Sequence, residues 1–151
     1  MAGFENMVPL ILGSGDPVVQ ADPTNRRGNF NTPLQRRMVL AGKWEACLAH
    51  VSFNKPIPTP DPSSMVILLD ILQPTTVGSS AFPVLFLTHP ITAADTDPVV
   101  IDHNPMTQWK PIDVTVINSI RVQIQDISGN IIPDAGPQTT VEFFLRQVSD
   151  V

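Results

Sequence analysis

Sixteen prolines among 151 residues constrain what this chain can fold into more than any other feature. Proline lacks a backbone donor and interrupts a helix or a central strand, so regular structure has to run between prolines. The two longest proline-free stretches are residues 34–55 and 112–132, and shorter ones include 63–73, 84–89 and 138–151. Helices or strands are therefore expected within these stretches.

Residues 116–125 show the clearest strand pattern. Ile120, Val122 and Ile124 are β-branched and apolar, while the residues beside and between them are polar. This period of two is typical of a strand with one buried face. The Ser-Gly-Asn sequence at 128–130 tolerates positive φ and predicts a short hairpin turn after that strand.

Two further stretches predict strands by their boundaries and period. Residues 139–147 alternate between apolar and polar side chains and predict the last strand. Residues 44–53 are ambiguous, because several of their apolar side chains also share one helical face. Gly42 before them and the prolines after them favour a strand.

The centre of the chain combines a proline series with apolar runs. Residues 55–62 have proline at every second position and predict an extended, polyproline-like surface loop that includes Pro58 and Pro60. Residues 65–72 and 82–88 are apolar at both parities, as expected for strands buried on two sides.

These patterns, an early strand near residues 7–12 and pieces near 29–40 and 99–101 give about eight short strands. The series predicts an all-β fold, a single jelly-roll β-sandwich of about eight antiparallel strands. We assign residues 1–30 to an extended N-terminal arm and residues 31–151 to the jelly-roll domain. With 42% hydrophobic and 15% charged residues, the chain can bury one core and is not expected to be disordered.

Composition also excludes several classes of protein. The longest apolar runs, residues 8–12 and 65–69, are far shorter than the roughly 18 residues that a membrane span needs. Secretion is not expected, since no basic residue precedes Arg26 as a signal peptide would require. Cys47 is the single cysteine, which rules out an internal disulfide and a multi-cysteine zinc site and suits a reducing compartment.

Motifs for catalysis or for a cofactor are not found. His50, His89 and His103 are scattered without metal-ligand spacing. The Gly-Ser-Gly-Asp sequence at 13–16 lacks the length and the lysine of a phosphate-binding loop, and it predicts a turn.

We also interpret two other groups of residues as chemically unreactive. Asp95, Asp97 and Asp102 lack the glycine and the terminal glutamate of a calcium loop, so we expect a solvated acidic loop. Cys47 and His50 are three residues apart, which places them on opposite faces of a regular strand, so we expect an inert, buried thiol. We therefore expect no enzymatic activity, no metal and no cofactor.

Basic residues are concentrated early in a chain whose net charge is −5. Arg26, Arg27, Arg36 and Arg37 are four of the nine basic residues and lie within twelve positions. We interpret them as part of an arm that contacts neighbouring protein; the alternative is contact with a packaged genome or an acidic partner surface.

An ordered series of motifs over residues 31–147 resembles a known family. Its members are Leu-x-Gly-x-Trp-Glu-x-x-Leu at 40–48, a strand at 69–74 with Val-Gly at 77–78, Pro-Val-Leu at 83–85, Trp-Lys-Pro-Ile at 109–112, and the alternating strands at 120–132 and 141–146. This order resembles the single jelly-roll minor capsid, or penton, proteins of the Polinton, adintovirus and virophage group of double-stranded DNA viruses.

The resemblance implies a structural virion protein. Such a protein would form pentamers or another homo-oligomer in an icosahedral shell, contact the major capsid protein, and assemble in the cytoplasm or nucleus of the host cell. The family offers no catalytic residues to transfer. On this interpretation the assembly contacts come from Arg26, Arg27, Arg36, Arg37, Pro58 and Pro60, while Gly42, Trp44, Gly129 and Gly136 have structural roles.

Two alternatives belong to other classes. A carbohydrate- or peptide-binding β-sandwich would need exposed aromatic side chains along a groove, but the chain has no tyrosine and two tryptophans. A jelly-roll enzyme of the cupin type would need clustered histidine and glutamate ligands, which the sequence does not place together.

Overall fold

The computed structural model describes residues 7–54, 64–77, 79–88, 98–103, 106–127, 129–132 and 138–148. Several residues of the sequence predictions lie outside these ranges, namely Pro58, Pro60, His89, Asp95, Asp97 and Gly136.

Strands dominate this part of the chain. It contains one short helix and eleven strands: β1 (Met7–Gly13), α1 (Pro17–Gln20), β2 (Asn29–Val39), β3 (Trp44–Asn54), β4 (Met65–Leu69), β5 (Thr75–Val77), β6 (Ser80–Phe82), β7 (Val84–Leu87), β8 (Pro98–Asp102), β9 (Lys110–Pro111), β10 (Val116–Asp126) and β11 (Thr140–Gln147). Among the described residues no helix has the length and hydrophobicity that crossing a membrane requires.

Nine of these strands form two antiparallel sheets, and eight of the nine make up the main rows of the two sheets. The first, which we call the β1 sheet, has the order β1-β11-β3-β8, with β9 also beside β3; the second, the β2 sheet, has the order β2-β10-β4-β7. Among the eight, the first strand in the chain pairs with the last, the second with the seventh, the third with the sixth and the fourth with the fifth. A long hairpin rolled into two sheets has this order, so the predicted all-β jelly roll is confirmed.

The core lies between the two sheets and is almost wholly apolar. Alternate residues of each strand face inward, as the period of two requires. The largest fully buried side chains come from both sheets and include Phe30, Phe53, Phe143, Leu48, Ile67, Ile120, Ile124 and Leu145.

Strand β4 is buried along its whole length, because its outer face is covered too. Val66 and Leu68 pack with Val84 on that face, and Val77 and Phe82 of the β5–β6 hairpin lie against them. The prediction of a strand buried on both sides is therefore right. The cover is a two-stranded hairpin that forms its own small sheet.

The predicted arm is part of the sandwich from residue 7 onward. Strand β1, expected from the apolar run at 7–12, pairs with β11 through seven residue pairs. In the helix that follows, Val18 N donates to Asp16 Oδ1 (2.9 Å) and Val19 enters the core. Phe30 is fully buried. Packed structure therefore begins well before the predicted boundary at residue 31. Strand β1 can join the sandwich at its edge because an edge strand needs only one partner strand in register.

Two turn glycines adopt backbone angles that other residues disfavour. Gly42 has φ +83° and Gly129 has φ +94°. Around Gly129 the backbone closes a short hairpin, with Asp126 N donating to Asn130 O at 2.9 Å. A turn is therefore present at Gly129 and Asn130, as predicted, although the next long strand, β11, joins the other sheet.

Trp44 lies at the start of β3 and is half-buried. Its ring packs against the core, and its Nε1 donates to the carbonyl of Ala41 at 2.9 Å. The tryptophan therefore seals the end of the core beside the turn at Gly42.

Candidate interaction surfaces

The four arginines that are close in sequence do not form one arm. Arg26 lies in the connection between β1 and β2, where its Nη1 donates to the carbonyls of Pro23 (2.8 Å) and Asn25 (3.2 Å). These local bonds fix the loop that leads into β2. Arg36 and Arg37 lie farther along, within β2 itself.

A large bulge in β2 presents the second pair to solvent. Pro33 pairs with Ser119 and Met38 with Ile117, so residues 34–37 of β2 stand opposite a single residue of β10. Pro33 has no N–H for the ladder, and such interruptions are typical of edge strands. We call residues 34–37 the basic bulge.

Both arginines of the basic bulge are exposed. Neither guanidinium has a hydrogen-bond or ion-pair partner among the described residues. Two adjacent positive charges are therefore free on the edge of a protein whose net charge is −5.

A row of ionisable side chains crosses the outer face of the β1 sheet. Glu142 of β11 stands opposite His50 of β3, and His50 stands opposite Asp102 of β8. Directly opposed residues of antiparallel strands point to the same side of a sheet. His50 Nδ1 donates to Asp102 Oδ1 at 2.5 Å, and the side chains are 33% and 75% exposed.

This row lines an open cleft of about 350 Å³, which we call the His50 cleft. Its wall combines two carboxylates and two histidines with apolar side chains: Ala49, His50, Asp102, His103, Met106, Glu142 and Phe144. Asp102 and Glu142 place two acidic side chains in the cleft, with apolar side chains beside them.

A second bulge turns His50 outward. Phe143 pairs with Leu48 and Glu142 with His50, so Ala49 is an extra residue in β3. Because Cys47 pairs with Phe144, two residues from Glu142, both Cys47 and His50 are on the outer face. The prediction that they occupy opposite faces is wrong, since it assumed a regular strand.

The predicted burial of the Cys47 thiol is confirmed. The residue is fully buried, and burial raises the pKa of its thiol. Its Sγ donates to the carbonyl of Leu48 at 3.6 Å. A protonated, enclosed thiol is a poor nucleophile, so sharing a face with His50 does not activate it.

Arg146 organises the outer face beyond the cleft. Its Nε donates to Glu45 Oε1 on the neighbouring strand at 2.5 Å, and its guanidinium lies 3.8 Å from the ring centroid of Trp109. Trp109 Nε1 in turn donates to the carbonyl of Met106 at 3.2 Å. These contacts fasten residues 106–109 over the β1 sheet, and Met106 of this segment lines the His50 cleft.

The described part of the chain contains no group of three His, Cys, Asp or Glu residues placed to hold a metal ion. Asp102, considered above as a calcium ligand, is hydrogen-bonded to His50 instead. His103 follows β8 and packs against Phe86, with ring centroids 4.9 Å apart.

Sequence reasoning missed both the row through His50 and the position of Trp109. The sequence places Glu142 on the polar face of its strand, but strand partners and bulges decide which polar residues meet.

No protein-family model matches the chain, and no curated protein matches its sequence.

Proposed function

We propose that this protein is a structural capsid subunit, a minor capsid or penton component of an icosahedral virion that acts through self-association and contacts with the major capsid protein. The jelly-roll strand order, β1-β11-β3-β8 against β2-β10-β4-β7, is the observation that supports the proposal most. A jelly roll also serves other functions, so the proposal depends on the fold together with the ordered motif series over residues 31–147.

The distribution of surface chemistry also favours assembly over the binding of sugars. Carbohydrate-binding sandwiches stack sugars on exposed aromatic faces, but Trp44 packs against the core and Arg146 covers a face of Trp109. The surface offers free charge and exposed β-branched side chains instead, including Ile11, Val39 and Val100. Such a surface suits protein–protein contacts.

The test is the oligomeric state of the full chain. Native mass spectrometry and negative-stain electron microscopy of the purified protein should reveal a closed ring with a fixed number of copies. A protein that stays monomeric at every soluble concentration would contradict the proposal.

A further inference from the structure

We infer that the basic bulge of one copy docks into the His50 cleft of a second copy, so that copies join head to tail. The inference rests on the proposed self-association and names the two surfaces that produce it. It commits to a second copy of this chain as the occupant of the cleft.

The two surfaces lie on different parts of the sandwich, the bulge at one edge and the cleft on the outer face of the β1 sheet towards the other edge. Strands β2 and β7 are the two edges of the β2 sheet, while β8 is an edge of the β1 sheet. Phe86 of β7 touches His103, which directly follows β8, so β7 and β8 lie at the same edge. The bulge on β2 is therefore across the molecule from the cleft, and one copy cannot satisfy its own bulge.

Charge complementarity selects this pairing. Arg36 and Arg37 are exposed and have no partner among the described residues, while Asp102 and Glu142 place two carboxylates in the cleft. Arginine forms strong, directed hydrogen bonds with carboxylates, and a docked copy would exclude water from the apolar side of the cleft.

Exposed β-branched side chains accompany both charged surfaces. Val39 ends β2 just beyond the basic bulge and is 65% exposed. Val100 is two residues from Asp102 on the same face of β8 and is 54% exposed. Docking would cover both, which gives the contact an apolar part beside its ion pairs.

A nucleic acid is a poorer occupant of the basic bulge. The protein's net charge of −5 opposes a polyanion, and the bulge offers two arginines without an aromatic side chain for base stacking. Two phosphate contacts contribute little at physiological salt. Neither objection applies to the acidic cleft of another copy.

Docking of this kind is heterologous, because bulge and cleft are different surfaces. Each added copy leaves one bulge and one cleft free until a ring closes. This property separates the proposal from a two-fold dimer, in which one patch meets itself.

The experiment reverses charge on each side of the contact in the full chain. Arg36→Glu/Arg37→Glu changes the bulge, and Asp102→Arg changes the cleft. Each should raise the concentration of half-association in sedimentation velocity at least about tenfold. Lys43→Glu and Asp113→Arg reverse exposed charges elsewhere and should change it less than about threefold.

Combining the changes gives a sharper test. A chain with both the bulge and the cleft reversals should regain part of the association, because the arginine introduced at position 102 then faces the glutamates of the bulge, although Glu142 still opposes them. An equimolar mixture of the bulge variant and the cleft variant should associate more strongly than either variant alone, because the wild-type bulge meets the wild-type cleft and the reversed bulge meets the reversed cleft. Asp102→Asn, which keeps the side-chain shape, should weaken association in the same direction as Asp102→Arg.

The outcomes separate this inference from the proposed function. If wild-type protein forms rings and the bulge variant forms them equally well, the docking is wrong while self-association stands. If wild-type protein is always monomeric, both fail. If the bulge reversal abolishes binding of a single-stranded DNA oligonucleotide and leaves association unchanged, the arginines serve nucleic acid and the inference is overturned.

Discussion

Replacing Phe143 by alanine and, separately, its neighbour Phe144 by alanine tests the register of the whole β1 sheet. The two substitutions remove the same atoms from adjacent positions of β11. Phe143 is fully buried between the sheets, whereas Phe144 is half-buried on the outer face beside the His50 cleft. The two positions therefore differ in the face of β11 on which they lie and, as a result, in their burial.

The expected losses in the free energy of unfolding differ between the two substitutions by more than their uncertainty. Emptying a fully buried phenylalanine site costs about 3–5 kcal/mol, because the neighbours relax only partly into the cavity. Truncating Phe144 should cost at most about 2 kcal/mol, since part of that ring already contacts water. With a urea m-value of about 2 kcal/mol/M, Phe143→Ala shifts the midpoint by roughly 1.5–2.5 M.

Urea unfolding followed by far-ultraviolet circular dichroism measures both free energies of unfolding. If Phe143→Ala does not fold, Phe143→Leu, at a cost of about 1–2 kcal/mol, is compared with the matched Phe144→Leu, which should cost less. Equal costs, or a larger cost at Phe144, would refute the alternation, because a shift of one residue exchanges the two faces of a strand.

Three further predictions concern a turn, the thiol and a carboxylate. Gly129→Ala should lower the free energy of unfolding by about 1–2 kcal/mol, because the backbone there has φ +94°. No atom lies within 4 Å of the added Cβ, so the cost comes from the backbone angle and not from a clash. Gly13→Ala is the control and should not lower it, because Gly13 does not have a positive φ. Alkylation of Cys47 should be at least about a hundredfold slower in the native protein than in urea, because the buried thiol reacts only after local opening. Burial raises the pKa of Asp70 despite its bond from Arg121 N, so this group's contribution to stability is complete below its unfolded pKa and falls as pH rises through the folded pKa. The stability of Asp70→Asn relative to wild type should therefore be greater at pH 7 than at pH 3 in urea titrations.

Prolines and alternation predicted most of the strands for physical reasons that act locally. A proline interrupts a ladder wherever the chain goes, so the long proline-free stretches contain β3 and β10. Inward-facing residues such as Phe143 follow from the period of two. Both features depend on a few neighbouring residues, which the sequence displays directly.

Contacts between strands were harder to predict, because they depend on partners far away in the chain. The four arginines are neighbours in sequence, yet β2 separates Arg36 and Arg37 from Arg26. The meeting of Glu142 with His50 requires β11 to pair with β3 at a particular register. Nothing near either residue specifies that register, so the candidate site emerged only with the fold.

Both proposed surfaces arise from irregularities in otherwise regular ladders. Leu48 and Val51 face the core although they are three residues apart, and this is possible because Ala49 adds one residue to β3. In an uninterrupted strand, keeping Leu48 and Val51 both inside would be impossible, and one of them would take an outer position. The extra residue therefore preserves the apolar core and at the same time turns His50 outward towards Asp102. The bulge in β2 acts in the same way, since it removes residues 34–37 from the ladder while Phe30 stays buried. A sandwich with so complete a core can change its surface chemistry at such bulges without loss of packing, which is why we place its interactions there.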